Sequence, residues 1–443
     1  MKKATVVGAG LVGSLWAVLL AKRGYRVDMY ERRADSRKAG YTGGRSINLA
    51  LSDRGWKALD RAGLKEAIAK EAIPMFARTL HALDGTLTKQ PYGRPDQAIY
   101  SVSRSGLNES LLSLADQFEH VHLHFEHKCT DVDLETGAAT FENTQGEFTT
   151  STPGLLFATD GAYSAVRSAM IKTDRYQFQQ QYIDHGYKEL HIPAAPDGSF
   201  QMEKNVLHIW PRGGYMLIAL PNPDGSFTLT LFFAWEGEES FASLRTSGEA
   251  ESFFQRVFPD ALALMSDFQE QWNANSANSL AIMRCDPWQF NGTVALIGDA
   301  AHAIVPFYGQ GMNAGFEDCT VLDDMLQEWG EDWQKILPAY SKMRKPNGDA
   351  IAELTLLNFI EMRDLVGKPS FLLQKKIEAH FAGKHPDRWT PLYTQVTFSH
   401  TPYAEALANG KKQNALMAEV LALEGIEERW DSPEVEQFIL DRL

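Results

Sequence analysis

Thr5-Val6-Val7-Gly8-Ala9-Gly10-Leu11-Val12-Gly13 reads as the end of an apolar strand, a glycine turn and the start of a helix. Each glycine answers a physical need. Gly8 permits the tight turn, Gly10 lets backbone amides approach a pyrophosphate, and Gly13 lets the helix pack close to the sheet. The positive end of the helix dipole then faces the phosphate charge. Leu11, Leu15, Val18 and Leu19 mark an apolar helix face that ends near Gly24. Arg26-Val27-Asp28-Met29-Tyr30 follows as a second strand and delivers Glu31. An acid roughly 20 residues beyond the first glycine stands where a ribose hydroxyl would be. Strand, helix, second strand and acid in this order predict a dinucleotide site. With Arg32 and Arg33 directly after Glu31, the motif by itself leaves FAD and NAD open.

The same run has a second reading. Lys2-Lys3 followed by uncharged residues to Ala21 has the look of a secretory signal. Three glycines interrupt it early, however, and Val6-Val7 read as a strand end. No other stretch approaches the length of a membrane span, and residues 435–443 form a mixed-polarity helix. The chain is expected to be soluble and cytoplasmic, without a membrane anchor.

At 443 residues the chain is too long for one small domain. Its 44% hydrophobic and 23% charged content is that of a soluble globular protein. A net charge of −14 without a Lys/Arg cluster argues against a nucleic-acid surface. Cys129, Cys285 and Cys319 lie far apart and match no zinc or redox spacing. They read as buried thiols in a reduced compartment. His120, His122, His124 and His127, with Glu126 and Cys129 nearby, are the one concentration of metal-ligand types. The first three alternate on one face of a probable strand, which is read as a solvated face; no metal is expected.

Two downstream segments repeat the strand-then-acid pattern. Leu155-Leu156-Phe157-Ala158-Thr159 ends in Asp160-Gly161 and leads to Arg167. Taken alone, such an Asp-Gly is a turn. Val294-Ala295-Leu296-Ile297-Gly298-Asp299 runs through Pro306-Phe307-Tyr308-Gly309-Gln310-Gly311-Met312-Asn313 into a helix predicted over 314–329. Asp299 stands at a strand's carboxyl end, where open α/β sheets place ligand contacts. The amides opening the next helix suit negative charge.

With these three segments in order, the chain resembles the single-component, FAD-dependent aromatic hydroxylases. Only one GxGxxG occurs, unlike the disulfide reductases with their second dinucleotide domain, and this fits a transiently bound NADPH. Residues 44–52, 185–190, 207–211, 305–319 and 391–399 further resemble the branch of that family that hydroxylates kynurenine. The likeness extends to about Ala408. Eukaryotic members continue into a membrane-anchoring tail, and this chain is expected to be of the soluble bacterial type.

The resemblance implies FAD as cofactor, with NADPH and O2 as co-substrates and L-kynurenine as substrate. It also implies a flavin C4a-hydroperoxide that attacks the ring at the 3-position, ortho to the amino group. Beyond Gly8, Gly10, Gly13 and Glu31, it assigns to the cofactor Val12, Tyr30, Arg32, Arg33, Ala50, Arg104, Asp160, Asp299, Met312 and Asn313. To the substrate it assigns Arg78 and Tyr92 at the carboxylate, with Asn358 and Tyr393 completing the amino-acid end and Glu361 in support. Phe76 and Phe359 depart from the family's usual Arg and Tyr.

Elementary chemistry agrees with these roles. A carboxylate calls for the planar fork of arginine, and tyrosine donates a hydroxyl while its ring excludes water. Phe307, Tyr308, Leu207, Met216, Ile218 and Phe232 are candidates for the apolar slot around the aryl ring, each with a core reading beside it. His302 reads as structural. No side chain is needed as acid, base or nucleophile, because the flavin carries the chemistry.

The expected fold is α/β. A Rossmann-like FAD-binding domain (1–72, 101–171 and 283–340) is interleaved with an antiparallel β-sheet substrate domain (73–100 and 172–282) and closed by a C-terminal helical region (341–443). A hydroxylase of another aromatic carboxylate and a non-catalytic flavin-binding redox sensor are the competing functions.

Overall fold

Lys3–Val7, Leu155–Ala158 and Val294–Leu296 are short apolar runs buried along almost their whole length, the signature of interior parallel strands. The computed structural model describes residues 2–39 and 48–443. Residues 44–47 of the family-like stretch lie outside them. The three runs form the middle of a six-stranded sheet ordered Gln289–Phe290, Val294–Leu296, Leu155–Ala158, Lys3–Val7, Arg26–Tyr30 and Val121–His124. Every neighbour pair is parallel except the first. Val6 stands opposite Phe157 on one side and Met29 on the other. The helix Leu11–Lys22 packs on this sheet, and the Trp16 ring meets Phe157 edge-on at 5.2 Å.

A seven-stranded sheet runs Asn278–Asp286, Gln177–Ile192, Phe227–Ala234, Met216–Pro221, Val206–Pro211, Ala77–His81 and Leu87–Pro91. Alternation along its strands gives it two different faces. One carries Leu190, Trp210, Leu217, Leu229 and Phe233 against the helices Ser247–Val257, Pro259–Leu262 and Phe268–Ala274. The other carries Ile209, Met216 and Phe232 towards Phe307 and Phe359. Two three-stranded sheets complete the β structure. Asn48–Leu51, Ile99–Ser103 and Ile73–Met75 form one, and His127–Asp133, Ala138–Asn143 and Phe148–Thr150 the other.

From Trp333 the chain is helical. Trp333–Ile360 runs on through Pro338 and Pro346 into a π-helical turn, Glu361–Leu365. Pro369–Lys384, Tyr403–Leu421 and Pro433–Leu440 then share a core of Ile377, Phe381, Met417, Val420 and Ile439. This is the mixed α/β architecture with a helical C-terminal layer that the sequence predicts. Among the described residues, no helix is long and apolar enough to cross a membrane.

The histidine cluster is only partly the solvated strand face expected: all four side chains are half-buried. His120 precedes the strand and its Nε2 lies 3.1 Å from the Ala21 carbonyl, while His124 stacks on Tyr30 at 4.4 Å. No group of three His, Cys, Asp or Glu among the described residues could hold a metal ion. All three thiols are free and buried.

Candidate active site

The glycine turn leaves room at one position only. Gly8 has φ 99°, and a Cβ there would lie 2.6 Å from the Thr159 carbonyl. A Cβ on Gly13 would lie 2.0 Å from the Gly8 carbonyl, whereas one on Gly10 would meet nothing within 4 Å. Thr159 Oγ1 donates to the Val7 and Gly8 carbonyls at 2.9 and 2.8 Å, which holds the turn shut from below. Glu31 accepts the Ala9 N–H at 2.9 Å and the Arg33 N–H at 3.0 Å. Ala9, Gly10, Leu11, Glu31, Arg33 and Arg104 line the cleft above.

The Tyr30 ring is buried between Phe141, at 3.8 Å, and His124, so this residue presents only its main chain to the cleft. Its carbonyl accepts the Gly8 N–H at 2.8 Å. Arg33 and Arg104 are exposed where they line the cleft, and Arg32 is exposed without lining it. Open space over Gly10, a helix N-terminus and an anchored acid fit the ADP half of FAD.

The two glycines give opposite expectations. Gly13→Ala is expected to lower the melting temperature of the apoprotein, because backbone must move. Gly10→Ala is expected to leave that temperature within about 2 °C while weakening FAD binding at least about tenfold. Thermal melts and flavin titration of the two apoproteins test this; equal flavin affinity in Gly10→Ala would remove the phosphate from this turn.

Two further turns stand beside this one. One oxygen of Asp160 accepts the Ala165 N–H at 2.7 Å, and the other is buried without a hydrogen-bond partner. Burial pushes this carboxyl above its ordinary range, against hydrogen bonds that lower it. Arg167 joins the turns: its guanidinium donates to the Ala300 carbonyl at 2.8 Å and to the Ala162 carbonyl. A Cβ on Gly298 would sit 3.0 Å from Val12, so the first and last glycine segments touch. Asp299 is exposed at the start of the short helix Asp299–His302.

The next helix, Gly311–Trp329, begins three residues before the predicted Ala314, which puts Met312 and Asn313 in its first turn. The Asn313 side chain is fully engaged. It accepts the Ser52 N–H at 3.0 Å and donates to the Ala50 and Gly309 carbonyls at 2.8 Å. Only the main chain of Asn313 is left for a ligand.

At the substrate end, Arg78 lies on the strand Ala77–His81 with its side chain 13% exposed. Its Nε donates to Gln90 at 2.9 Å and its Nη2 to Glu361 at 3.0 Å. Gln90 escaped the sequence reading. It pairs with Arg78 across the two strands and stands two residues before Tyr92, so strand alternation carries its signal. Tyr92, Tyr393 and Tyr308 form a stack, with centroids 5.0 and 5.5 Å apart. The Tyr92 hydroxyl is buried without a well-formed hydrogen bond. Burial pushes Tyr393 up to about 12 and pushes Tyr92 and Tyr308 well above the ordinary phenol value, so all three work as neutral donors.

Asn358 donates its amide to the Phe307 carbonyl at 2.7 Å, and Phe307 stacks on Phe359 at 3.8 Å. Of the slot candidates, Met216 and Phe232 are fully buried core, while Leu207 and Ile218 stay partly open. Phe76 is 42% exposed.

Beneath Gly298 lies an ionic network that the sequence did not reveal. Asp318, fully buried, accepts the Gly298 N–H at 3.0 Å, meets His302 Nε2 at 2.6 Å and takes Arg344 Nε at 2.7 Å. Glu317 pairs with Arg344 at 2.6 Å and with Arg54.

Comparisons with known proteins place the chain in a family. A family model described as FAD binding domain matches residues 1–355. The sequence is 50% identical to a kynurenine 3-monooxygenase of Flavobacterium johnsoniae over 100% of this chain and 98% of that protein. It is 44% identical to a kynurenine 3-monooxygenase of Anopheles gambiae over 94% of this chain and 86% of that protein. A solved 2-methyl-3-hydroxypyridine-5-carboxylic acid oxygenase has a TM-score of 0.68 over 84% of this chain and 95% of its own, at 20% identity. The p-nitrophenol 4-monooxygenase of Pseudomonas putida has a TM-score of 0.65 over 95% and 97%, at 18% identity. At such identities the two solved structures are likenesses of fold alone.

Proposed function

The chain belongs to the kynurenine 3-monooxygenase family of FAD-binding enzymes, and from that premise we propose that it hydroxylates L-kynurenine to 3-hydroxykynurenine in tryptophan degradation. NADPH and O2 are its co-substrates. FAD, when bound, supplies the passage of electrons from NADPH and the activation of oxygen. The protein's own residues bind, orient and dry the site.

The observation that carries this reading is the buried arginine fork of Arg78, set beside the tyrosine stack. The substrate carboxylate takes the guanidinium N–H groups that Gln90 and Glu361 leave free, and the Tyr92 hydroxyl. The Asn358 amide group is committed to Phe307, so its side-chain oxygen is the atom left for the substrate's ammonium, with Glu361 near. Leu207, Ile218 and Phe307 flank the aryl ring, and Tyr308 and Tyr393 keep water out. At the cofactor, Glu31 would take a ribose hydroxyl and the amides around Gly10 would take the pyrophosphate. Asp299 would hold the ribityl chain, and the main chain of Met312 and Asn313, in the first turn of their helix, would stabilise negative charge on the flavin ring. The ring carbon attacked is made electron-rich by the substrate's own amino group, and no side chain is asked to be acid, base or nucleophile.

We read residues 1–72, 101–171 and 283–340 as the FAD-binding part, 73–100 and 172–282 as the sheet that roofs the substrate, and 341–443 as the layer that closes it. Three reduced, buried cysteines support a cytoplasmic setting.

The test is flavin reduction by NADPH without oxygen, followed by aerobic turnover. L-Kynurenine is expected to accelerate reduction about tenfold or more and to yield 3-hydroxykynurenine in proportion to NADPH consumed. FAD-loaded protein that forms no hydroxylated kynurenine, but does hydroxylate another aromatic carboxylate, would replace the substrate. Bound flavin with no turnover of any aromatic acid would make the protein a sensor.

A further inference from the structure

Arg78 shares its strand with a residue that the reaction does not use. Side chains alternate along Ala77–His81, so His81 points to the face opposite Arg78, towards the helices. There it is buried in a chain of three contacts. His81 Nδ1 lies 2.7 Å from Asp260 Oδ2, His81 Nε2 lies 2.9 Å from His208 Nδ1, and His208 Nε2 lies 2.8 Å from the Glu203 carbonyl. The Trp210 indole N–H donates to both Asp260 oxygens at 3.0 and 2.9 Å, and its ring stacks on His81 at 4.0 Å.

Each of these contacts requires one N–H. The Glu203 carbonyl and the Asp260 carboxylate only accept, so the outer two use His208 Nε2–H and His81 Nδ1–H. If both rings were neutral, two lone pairs would then face each other across the central 2.9 Å. One more proton is needed than two neutral imidazoles carry. Asp260 is not its holder: both its oxygens accept the Trp210 N–H, and its side chain is 42% exposed, so solvent keeps the carboxylate ionised. Nor is His208, which burial holds down to about 4 against the Glu203 carbonyl. His81, touching the anion, is the remaining place.

The main chain of His81 is tied to the substrate site by a second route. Its carbonyl accepts Arg212 Nη1 at 2.9 Å. The next two amides, Gly213 and Gly214, donate to the Arg363 carbonyl at 3.2 Å and to Asp364 at 3.0 Å. These belong to the π-helical turn whose Glu361 pairs with Arg78. The contacts thus close a ring from His81 through Arg212 and the π turn to Arg78, and back along the strand. The charged and titratable groups facing His81 are Asp260, His208 and Arg212, together with Glu203, whose carboxylate is paired with Lys89 at 2.5 Å.

We infer that His81 is an imidazolium locked between Asp260 and His208, and that it is a positioning residue that holds Arg78 at the geometry the substrate carboxylate needs. The inference rests on Arg78 being the carboxylate anchor proposed above.

The test uses full-length, FAD-loaded protein with 15N-labelled histidine. Both ring nitrogens of His81 are expected to carry protons at neutral pH. As pH rises and the extra proton leaves, KM for L-kynurenine is expected to rise about tenfold, with kcat changing less than about twofold. In His81→Gln the KM should be high at every pH and its pH dependence lost. Asp260→Asn, which keeps the imidazole but removes its counter-ion, should move the KM rise to lower pH. A neutral His81 at pH 7, or an unchanged KM profile in His81→Gln, overturns the inference. The NMR signal reads the proton whether or not kynurenine is turned over, so failure of this assignment is distinguishable from failure of the substrate reading.

Discussion

Replacing Arg78 by alanine is expected to raise KM for L-kynurenine by two to three orders of magnitude while FAD stays bound. An exposed arginine paired with a glutamate contributes ~1 kcal/mol or less, but Arg78 is not in that situation. Its guanidinium is enclosed, and both Gln90 and Glu361 depend on it for a donor. Truncation therefore removes the fork for the substrate carboxylate and also leaves the Glu361 carboxylate without its partner. Breaking one partner of an enclosed ion pair costs about 3–5 kcal/mol, and about 1.4 kcal/mol is a factor of ten. Arg78→Lys is expected to recover little, since a single ammonium cannot serve Gln90, Glu361 and a carboxylate in one plane. Steady-state kinetics with L-kynurenine, alongside the flavin absorbance of each variant, measure this. A KM within threefold of the native value would mean that the carboxylate is held elsewhere.

How much of this was legible in the sequence depends on the range of each interaction. The glycine turn was, because φ 99° at Gly8 and the helix contact at Gly13 are local demands that glycine alone meets. The strands of the parallel sheet were legible for the same reason, as unbroken apolar runs. Side-chain direction was not. Tyr30 and Asn313 stand beside the cofactor cleft, yet the Tyr30 ring is sandwiched by Phe141 and His124, and every polar atom of the Asn313 side chain has a protein partner. Met216 and Ile218 belong to one strand and point the same way, but only Ile218 is left partly open, because depth beneath Phe307 and Phe359 is a property of packing. The least legible parts were the charge networks. His81 meets Asp260 across 179 residues and Arg54 meets Glu317 across 263, and nothing in a one-dimensional pattern announces such pairs.

The second large effect expected lies in that hidden network. Asp318→Asn keeps the shape of the side chain and an acceptor for the Gly298 N–H, but removes the charge and the acceptor that Arg344 Nε uses. Two enclosed guanidiniums, Arg54 and Arg344, then face the single carboxylate of Glu317. The cost is set at about 3–5 kcal/mol by the uncompensated charge, a large part of the ~5–15 kcal/mol that holds a protein folded. A melting temperature lower by on the order of 10 °C should result. FAD binding should weaken with it, because the residue that holds the Gly298-Asp299 turn loses its tie to Arg344. The pH dependence has a definite sign. Burial pushes the Asp318 carboxyl up, but His302 and Arg344 outweigh it and hold it below the ordinary carboxylate range. A lowered value in the folded state means that the stabilisation is fully present above the unfolded value, about 3.9, and is lost as pH falls through the folded one. Acid should therefore destabilise the native protein more steeply than Asp318→Asn, and the two melting curves should converge at low pH. Melting temperatures across pH 3–7, with flavin release followed by fluorescence, decide it. A shift below about 2 °C at neutral pH would mean that Glu317 alone satisfies both arginines and that Asp318 serves only as a hydrogen-bond acceptor for Gly298 and His302.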